Sequence, residues 1–164
     1  MARVYVSIGS NIDRERHIRA AVAALRERFG RVQLSSVYES EAVGFDGDNF
    51  LNMAVAFDTA LDVASVAQTL RAIEDAHGRV RSGPRFSSRT LDLDLLLYDE
   101  LVSRNDGLDV PRAEITKNAF VLQPLAEIAP EAVHPTEGIT FAQLWQRFDK
   151  QRQALWPVPF DFAE

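Results

Sequence analysis

The sequence of 164 residues contains no cysteine and only three histidines. Disulfides, zinc–thiolate sites and thiol nucleophiles are therefore excluded, so any chemistry must come from carboxylates, guanidinium groups, hydroxyls, histidines or a bound metal. No apolar run approaches the roughly 18 residues of a membrane span, and the first residues alternate apolar with polar side chains, unlike a signal peptide. We expect a cytoplasmic protein with no membrane partner.

Lysine is also scarce, because all but two of the 18 basic residues are arginine. The 24 acidic residues give a net charge of −6, which disfavours general binding to nucleic acid. One segment departs from this balance: residues 71–89 contain five arginines and only Glu74 and Asp75 as acids. Guanidinium groups match phosphate oxygens in pairs, so this segment is a candidate phosphate-binding site.

Length and composition predict one domain over residues 1–164, and we expect a monomer. Alternating apolar residues predict strands at 3–8, 32–38, 51–57 and 90–98, the first ended by the turn residues Gly9, Ser10 and Asn11.

Helical spacing predicts two helices between these strands. The inward face of the first helix would be formed by Ile18, Val22, Leu25 and Phe29, and this helix would end at Gly30. The second helix would begin after an Asp62 cap, and its inward residues would be Val63, Val66, Leu70 and Ile73. The order β-α-β-β-α-β fits a ferredoxin-like α+β sandwich, with an antiparallel sheet and helices stacked on one face.

Beyond residue 98, prolines should divide the chain into short pieces, and Thr140 is a candidate cap for a last helix. The prolines are Pro111, Pro124, Pro130 and Pro135, and the inward residues of that helix are Phe141, Leu144, Trp145 and Phe148. His17 is expected on the outer face of the first helix, and the three scattered histidines are expected to be structural or solvated.

The most informative segment is the alternating run from Arg89 to Leu97. In a strand, Leu91, Leu93, Leu95 and Leu97 would share one face, and Asp92 and Asp94 would share the other, roughly 6.5 to 7 Å apart. An ordinary half-buried strand with two acids on its wet face is one interpretation. The other is a site that binds Mg²⁺ together with substrate phosphates, because hard carboxylate oxygens suit that ion and an arginine-rich segment precedes them.

The glycine-rich nucleotide motifs Gly-x-x-x-x-Gly-Lys-Ser/Thr and Gly-x-Gly-x-x-Gly are both absent. Phe45, Phe50 and Phe86 fall in or beside polar loops, where they either anchor the loops or sandwich a flat ring.

Several motifs resemble the 6-hydroxymethyl-7,8-dihydropterin pyrophosphokinase family. They are Ser7-Ile8-Gly9-Ser10-Asn11, Phe50-Leu51-Asn52, Ile73-Glu74, Gly78-Arg79-Val80-Arg81, Arg89-Thr90-Leu91-Asp92-Leu93-Asp94, Phe120-Val121-Leu122-Gln123-Pro124-Leu125 and Ile128-Ala129-Pro130. The resemblance covers nearly the whole chain and implies a three-layer α-β-α sandwich.

The resemblance also implies an activity: transfer of pyrophosphate from ATP, with two Mg²⁺ ions, to the hydroxymethyl group of 6-hydroxymethyl-7,8-dihydropterin in folate synthesis. It implies metal ligands Asp92 and Asp94 and catalytic Arg79 and Arg89. The pterin contacts it implies are Ser40, Glu41, Ala42, Val43, Phe50, Asn52, Phe86, Asp92 and Phe120. Its implied ATP contacts are Arg71, Glu74, Arg81, Arg89, Leu95, Arg112 and Lys117.

The chain departs from the family pattern at four positions. Arg112 stands in place of a usual histidine, Asn118 in place of an arginine, Phe86 in place of a frequent tryptophan, and Glu41 in place of a common proline. The departures at Arg112 and Asn118 leave open a relative that binds pterin or nucleotide without turnover. An Asp-x-Asp nucleotide-sugar transferase is a third reading, but the chain lacks the length and the parallel β-α-β pattern of such enzymes.

Overall fold

The computed structural model describes residues 1–42, 47–78, 90–105 and 107–162. Its strands are β1 (Ala2–Ser10), β2 (Gln33–Leu34), β3 (Val37–Ser40), β4 (Phe50–Thr59), β5 (Asp92–Tyr98), β6 (Ser103–Asn105), β7 (Leu108–Val110) and β8 (Leu155–Val158). Its α-helices are α1 (Arg14–Phe29), α2 (Val63–Ala76), α3 (Ala119–Ile128) and α4 (Phe141–Arg147), and a 3-10 helix covers Ala113–Thr116. Within these ranges, no helix combines the length and apolar character needed to cross a bilayer.

The main sheet has the strand order β5-β1-β4-β3-β8, and every neighbouring pair is antiparallel. Short β2 also pairs with β4, and β6 and β7 form a separate hairpin. The predicted α+β class and antiparallel sheet are confirmed, and β8 adds an edge strand that the sequence did not indicate.

Two apolar clusters lie on opposite faces of the sheet. The first joins α1 and α2 to the sheet through residues such as Ile18, Val22 and Leu70, and the second joins α3 and α4 through residues such as Leu122, Leu125 and Phe141. Helices therefore cover both faces, which confirms the three-layer arrangement that the family resemblance implies.

The end of β1 differs from the prediction, because Gly9 and Ser10 belong to the strand instead of a turn. Gly9 pairs with Asn52 of β4 and with Asp92 of β5, so both neighbouring strands extend the pairing past Ile8. This longer strand places Gly9 in the middle of the sheet.

The single strand predicted at 32–38 is divided into β2 and β3. Buried Ser35 interrupts the ladder: its hydroxyl accepts a hydrogen bond from the Ala54 N–H (2.9 Å) and donates one to the Ser36 carbonyl (2.7 Å). A side chain that bonds the local backbone competes with regular strand pairing.

Strand β4 is buried on both faces, because α3 covers the face that carries Asn52, Ala54 and Ala56.

Helix α2 begins as predicted, with the Asp62 side chain accepting from the Ser65 N–H at 2.8 Å.

The prediction that Leu97 shares the face of Leu91, Leu93 and Leu95 is wrong. The register between β1 and β5 shifts by one residue, from Val6 opposite Leu95 to Tyr5 opposite Leu97, so Leu96 has no residue opposite it. A bulge of this kind reverses the alternation, and Leu97 consequently joins the cluster under α3 and α4.

Two further expectations are corrected. Pro124 does not break the chain but lies inside α3, where it is buried with Val121 and Leu125, so packing offsets the one missing hydrogen bond.

His17 is only 5% exposed instead of lying on an outer face; its Nδ1 bonds the Ile12 carbonyl at 2.8 Å, and its ring packs edge-on against His77.

Candidate active site

A row of residues crosses one face of the sheet near the start of β5. Asp92 lies opposite Gly9, Gly9 lies opposite Asn52, and Asn52 lies opposite Tyr38. Asp94, two residues beyond Asp92, lies opposite Ser7 on the same face. The register thus brings the two carboxylates and Asn52 to the face that α3 covers.

Gly9 separates Asn52 from Asp92 without filling the space between them. A Cβ atom at Gly9 would meet Asn52 Oδ1 at 3.4 Å and Phe50 Cδ2 at 3.8 Å. The absence of a side chain at residue 9 therefore leaves the sheet backbone uncovered beside an amide and an aromatic ring. Sequence reasoning missed this role, because Gly-Ser-Asn is a common turn pattern.

Ser10 and Asn11 hold the segments that flank this face. The Ser10 hydroxyl donates to the Thr90 carbonyl, just before β5, and the Asn11 amide donates to the Asp48 carbonyl at 3.0 Å. Both side chains are buried. They fix the chain on either side of the row formed by Asp92, Gly9 and Asn52.

Asn52 is 4% exposed, and its Nδ2 donates to the Ser40 hydroxyl at 2.8 Å. This bond orients the amide, and Asn52 Oδ1 faces Gly9. Phe50 is half-buried beside it, Glu41 is exposed and Ala42 is half-buried.

The first turn of α3 lies on the same side of the sheet and carries Phe120. The Phe120 ring is half-buried and packs against the cluster under α3 and α4. The other end of α3 is tied to β3, because the Glu127 carboxylate accepts from the Tyr38 hydroxyl at 2.7 Å.

Asp94 lies among charged neighbours. Burial, together with the charges of Asp92, Glu114 and Glu74, raises its pKa to about 8, while the Arg112 guanidinium opposes the shift. Arg112 Nη2 is 3.4 Å from Asp94 Oδ1. The described residues around Asp94 therefore carry more negative than positive charge.

Arg112 is held by a second carboxylate, because its Nε donates to Glu114 Oε1 at 2.9 Å. Burial opposes its charge, yet the nearby Asp94 and Glu114 carboxylates leave the pKa of Arg112 raised above its ordinary value. The guanidinium is thus a permanent cation aimed between the two acids. Glu114 carried no sequence signal of its own.

The remaining residues expected to bind ATP are more dispersed. Glu74 is buried on α2, where its Oε2 accepts from the Leu93 N–H at 2.7 Å. Leu95 belongs to the cluster under α1 and α2, on the opposite face from Asp94, and Arg71 and Lys117 are exposed. Other residues expected in the site lie outside the described ranges: Val43, Arg79, Arg81, Phe86 and Arg89.

The described part of the chain therefore forms a ferredoxin-like α+β protein with two carboxylates, a buried amide and a glycine between them on one sheet face. A sequence model of 7,8-dihydro-6-hydroxymethylpterin-pyrophosphokinase (HPPK) matches residues 5–130. The chain belongs to this family.

Curated relatives and solved structures agree with this assignment. The 2-amino-4-hydroxy-6-hydroxymethyldihydropteridine pyrophosphokinase of Bacillus subtilis is 40% identical over 155 residues, covering 92% of each protein. The protein of the same name from Pseudomonas aeruginosa is 42% identical over 134 residues, covering 79% of this chain and 82% of the relative.

Among solved structures, a Plasmodium falciparum HPPK-DHPS triple mutant with pteroate has a TM-score of 0.72 at 12% identity, over 92% of this chain. An HPPK-DHPS structure in complex with substrates has a TM-score of 0.73 at 11% identity. The chain spans 44% of each of these longer proteins. At such low identity, this likeness concerns the fold alone.

Proposed function

We propose that this chain transfers a pyrophosphoryl group from MgATP to the hydroxymethyl oxygen of 6-hydroxymethyl-7,8-dihydropterin, a step of folate biosynthesis. The hydroxymethyl oxygen attacks the β-phosphorus of ATP and loses its proton to solvent, and the bond from that phosphorus to the α,β-bridging oxygen breaks. The products are AMP and the pterin diphosphate. The observation that carries the proposal is the row in which Asp92 and Asn52 flank Gly9 on one sheet face.

The charges around Asp94 fit a bound divalent cation. Burial and three neighbouring carboxylates raise the pKa of Asp94, so a positive ion beside the carboxylate would relieve this repulsion. Among the described residues, no three metal-binding side chains are grouped to hold an ion. Mg²⁺ is ordinarily held by one or two carboxylates together with substrate phosphates and water, and Asp92 and Asp94 offer two carboxylates on one sheet face.

Asp92 and Asp94 would hold two Mg²⁺ ions with the ATP phosphates. When bound, Mg²⁺ supplies neutralisation of the phosphate charge that develops as the bridging bond breaks. The protein then has mainly to position the two substrates and exclude water.

The pterin would lie over Gly9. A flat ring can approach the sheet there because no side chain projects from residue 9, and the oriented Asn52 amide can bond the ring edge. Phe50 and Phe120 offer apolar surface to the ring faces. Ser40, Glu41 and Ala42 would line the same end, with Val43 and Phe86 as further proposed contacts.

Arginines would hold the phosphates. Arg112 is the described member of this set, and its placement against Asp94 puts a fixed cation beside the proposed metal carboxylate. Arg79 and Arg89 remain the proposed catalytic arginines. The proposed nucleotide neighbours are Arg71, Glu74, Arg81, Leu95 and Lys117.

We also infer that the chain acts as one domain over residues 1–164, as a monomer, in the cytoplasm.

The test is an assay of AMP release. Purified protein, MgATP and the hydroxymethyl-dihydropterin should give AMP and pterin diphosphate in equal amounts, and omission of the pterin should abolish both products. A folded protein that binds either substrate but releases no AMP would refute turnover and support the non-catalytic relative.

A further inference from the structure

The chain beyond α4 returns to the sheet and lies against the start of α3. Strand β8 pairs with β3, with Leu155 opposite Ser40 and Pro157 opposite Tyr38. The family model matches residues 5–130, and this terminal segment lies beyond that match. It nevertheless contacts elements that carry proposed pterin-binding residues.

Gln153, just before β8, is bonded through both atoms of its side-chain amide. Its Oε1 accepts from the Ala119 N–H at 2.7 Å, and its Nε2 donates to Asn118 Oδ1 at 3.0 Å. These partners are the first residue of α3 and the residue that precedes it. One half-buried side chain thus bonds two consecutive residues more than thirty positions earlier in the chain.

The start of α3 needs such a partner. The first N–H groups of a helix have no acceptor within the helix, and a side-chain oxygen from the residue before it usually satisfies one of them. Asn118 occupies that position, but its side chain forms no capping bond. Gln153 supplies the missing acceptor from a distant part of the chain.

The same contact begins a chain of polar side chains that ends at Asp94. Asn118 Nδ2 is 3.4 Å from Glu114 Oε2, a long hydrogen bond, and the other oxygen of Glu114 accepts from Arg112. Arg112 in turn lies 3.4 Å from Asp94. Two of these residues, Arg112 and Asn118, are positions at which the sequence departs from the family pattern.

We propose that Gln153 is a positioning residue: its amide fixes the first turn of α3, which carries Phe120, and steadies the Asn118–Glu114–Arg112 chain beside Asp94. This inference rests on the proposed function. If the first turn of α3 is less often in its binding geometry, the affinity for pterin falls in proportion.

Gln153→Ala removes both bonds, and its effect should appear first on the pterin. A helix cap is worth enough to predict a KM for the dihydropterin raised about threefold to thirtyfold, with a smaller change in the affinity for MgATP. Gln153→Glu keeps an acceptor for the Ala119 N–H and should recover most of the pterin affinity. Gln151→Ala changes an exposed residue of the same type two positions earlier and should match the parent protein.

Binding is measured by titrating the dihydropterin with Mg²⁺ and the α,β-methylene analogue of ATP, whose bridging bond cannot break. Amide hydrogen exchange at Ala119, followed by NMR in the ligand-free protein, provides a readout that needs no substrate. It should be about threefold to thirtyfold faster in Gln153→Ala than in Gln151→Ala.

Unchanged exchange at Ala119 would overturn the inference. So would a pterin KM in Gln153→Ala equal to that of Gln151→Ala, or an equal loss of pterin and ATP affinity together with a lower melting temperature. If the parent protein releases no AMP, the proposed function fails, and hydrogen exchange still decides whether Gln153 fixes α3.

Discussion

Asp94 lies between one cation and several acids, so replacing its charge without changing its shape tests the proposed metal site. Asp94→Asn should lower turnover by about a hundredfold or more at saturating ATP, because charge neutralisation by a bound metal is worth several kcal/mol. The fold should persist, since the side chain is partly exposed, contacts Arg112 and belongs to neither apolar cluster. The measurement is the rate of AMP release across a Mg²⁺ titration.

Asp58→Asn is the matched control for this substitution. Asp58 is exposed at the far end of β4, where it pairs with Arg3 at 3.5 Å. It should retain parental turnover. An Asp94→Asn protein that is folded and equally active at saturating Mg²⁺ would remove Asp94 from the metal site.

Gly9 tests the proposed pterin position without altering charge. Gly9→Ala should raise the KM for the pterin about tenfold, because the added methyl group would project beside Asn52 and Phe50, where the ring is proposed to approach the sheet. The melting temperature should change little, since the new contact of 3.4 Å with Asn52 Oδ1 is an ordinary one. Steady-state kinetics with both substrates, beside a thermal melt, separate these effects.

Gly138→Ala is the control for this substitution, because it should lower the stability of the fold and leave pterin binding unchanged. Gly138 has a φ of 74° and open space around it, so the substitution should destabilise the fold by about 1 to 2 kcal/mol without changing the pterin KM. If Gly9→Ala binds pterin like the parent protein, the ring does not lie over residue 9.

At the scale of elements, Glu74 joins α2 to the edge strand β5. Glu74→Ala leaves the Leu93 N–H without its acceptor and should cost about 1 to 3 kcal/mol of unfolding free energy. Glu74→Gln retains an oxygen acceptor and should cost less. Urea unfolding of the three proteins gives the comparison, and equal losses in both variants would show that the carboxylate charge matters instead of the acceptor.

The sequence predicted those elements whose signals are local. The Asp62 cap, the apolar stripes of α1 and α2, and the alternation at 91–95 follow from residue spacing and are present in the structure. Features that depend on partners distant in sequence were missed or misassigned: the extension of β1 through Gly9, the interruption at Ser35, and the bulge that reverses Leu97.

The residues of the candidate site likewise fall into those with a local sequence signal and those without one. Asp92 and Asp94 were recognisable because their spacing and the resemblance agreed, whereas Gly9 resembled a turn residue and Glu114 an ordinary surface acid. Gln153 could not be found by pattern, because its partners Ala119 and Asn118 adjoin it only after β8 has paired with β3.

For the whole molecule, two histidines with lowered pKa values predict how stability depends on pH. Burial lowers the pKa of His134 below its ordinary value; the Glu137 charge opposes this shift and the Arg104 charge adds to it. Its Nδ1 accepts from the N–H groups of Thr136 and Glu137, both at 3.2 Å, so protonation would break two bonds. Burial and the nearby charges of His17 and Arg16 likewise lower the pKa of His77.

The unfolded chain therefore binds protons more readily than the folded protein once the pH falls below about 6.5. The contribution of these histidines to stability should be complete above that value and decline towards pH 5, by at most about 1.4 kcal/mol per pH unit for each histidine. Asp94, whose pKa is raised to about 8, contributes in the opposite direction, and equally in the parent and in the His134 variant. His134→Asn keeps an acceptor that does not titrate, and it should reduce the slope. Equal slopes in both proteins, from urea unfolding between pH 5 and 7, would contradict this account.

The most direct test of the central claim is to identify which phosphorus of ATP the pterin attacks. Products formed from MgATP and 6-hydroxymethyl-7,8-dihydropterin can be resolved by phosphorus NMR, with the Asp94→Asn protein as the control. The account predicts AMP and pterin diphosphate in equal amounts, formed far more slowly by Asp94→Asn. Formation of ADP with a pterin monophosphate, or of free pyrophosphate with an adenylylated pterin, would contradict it.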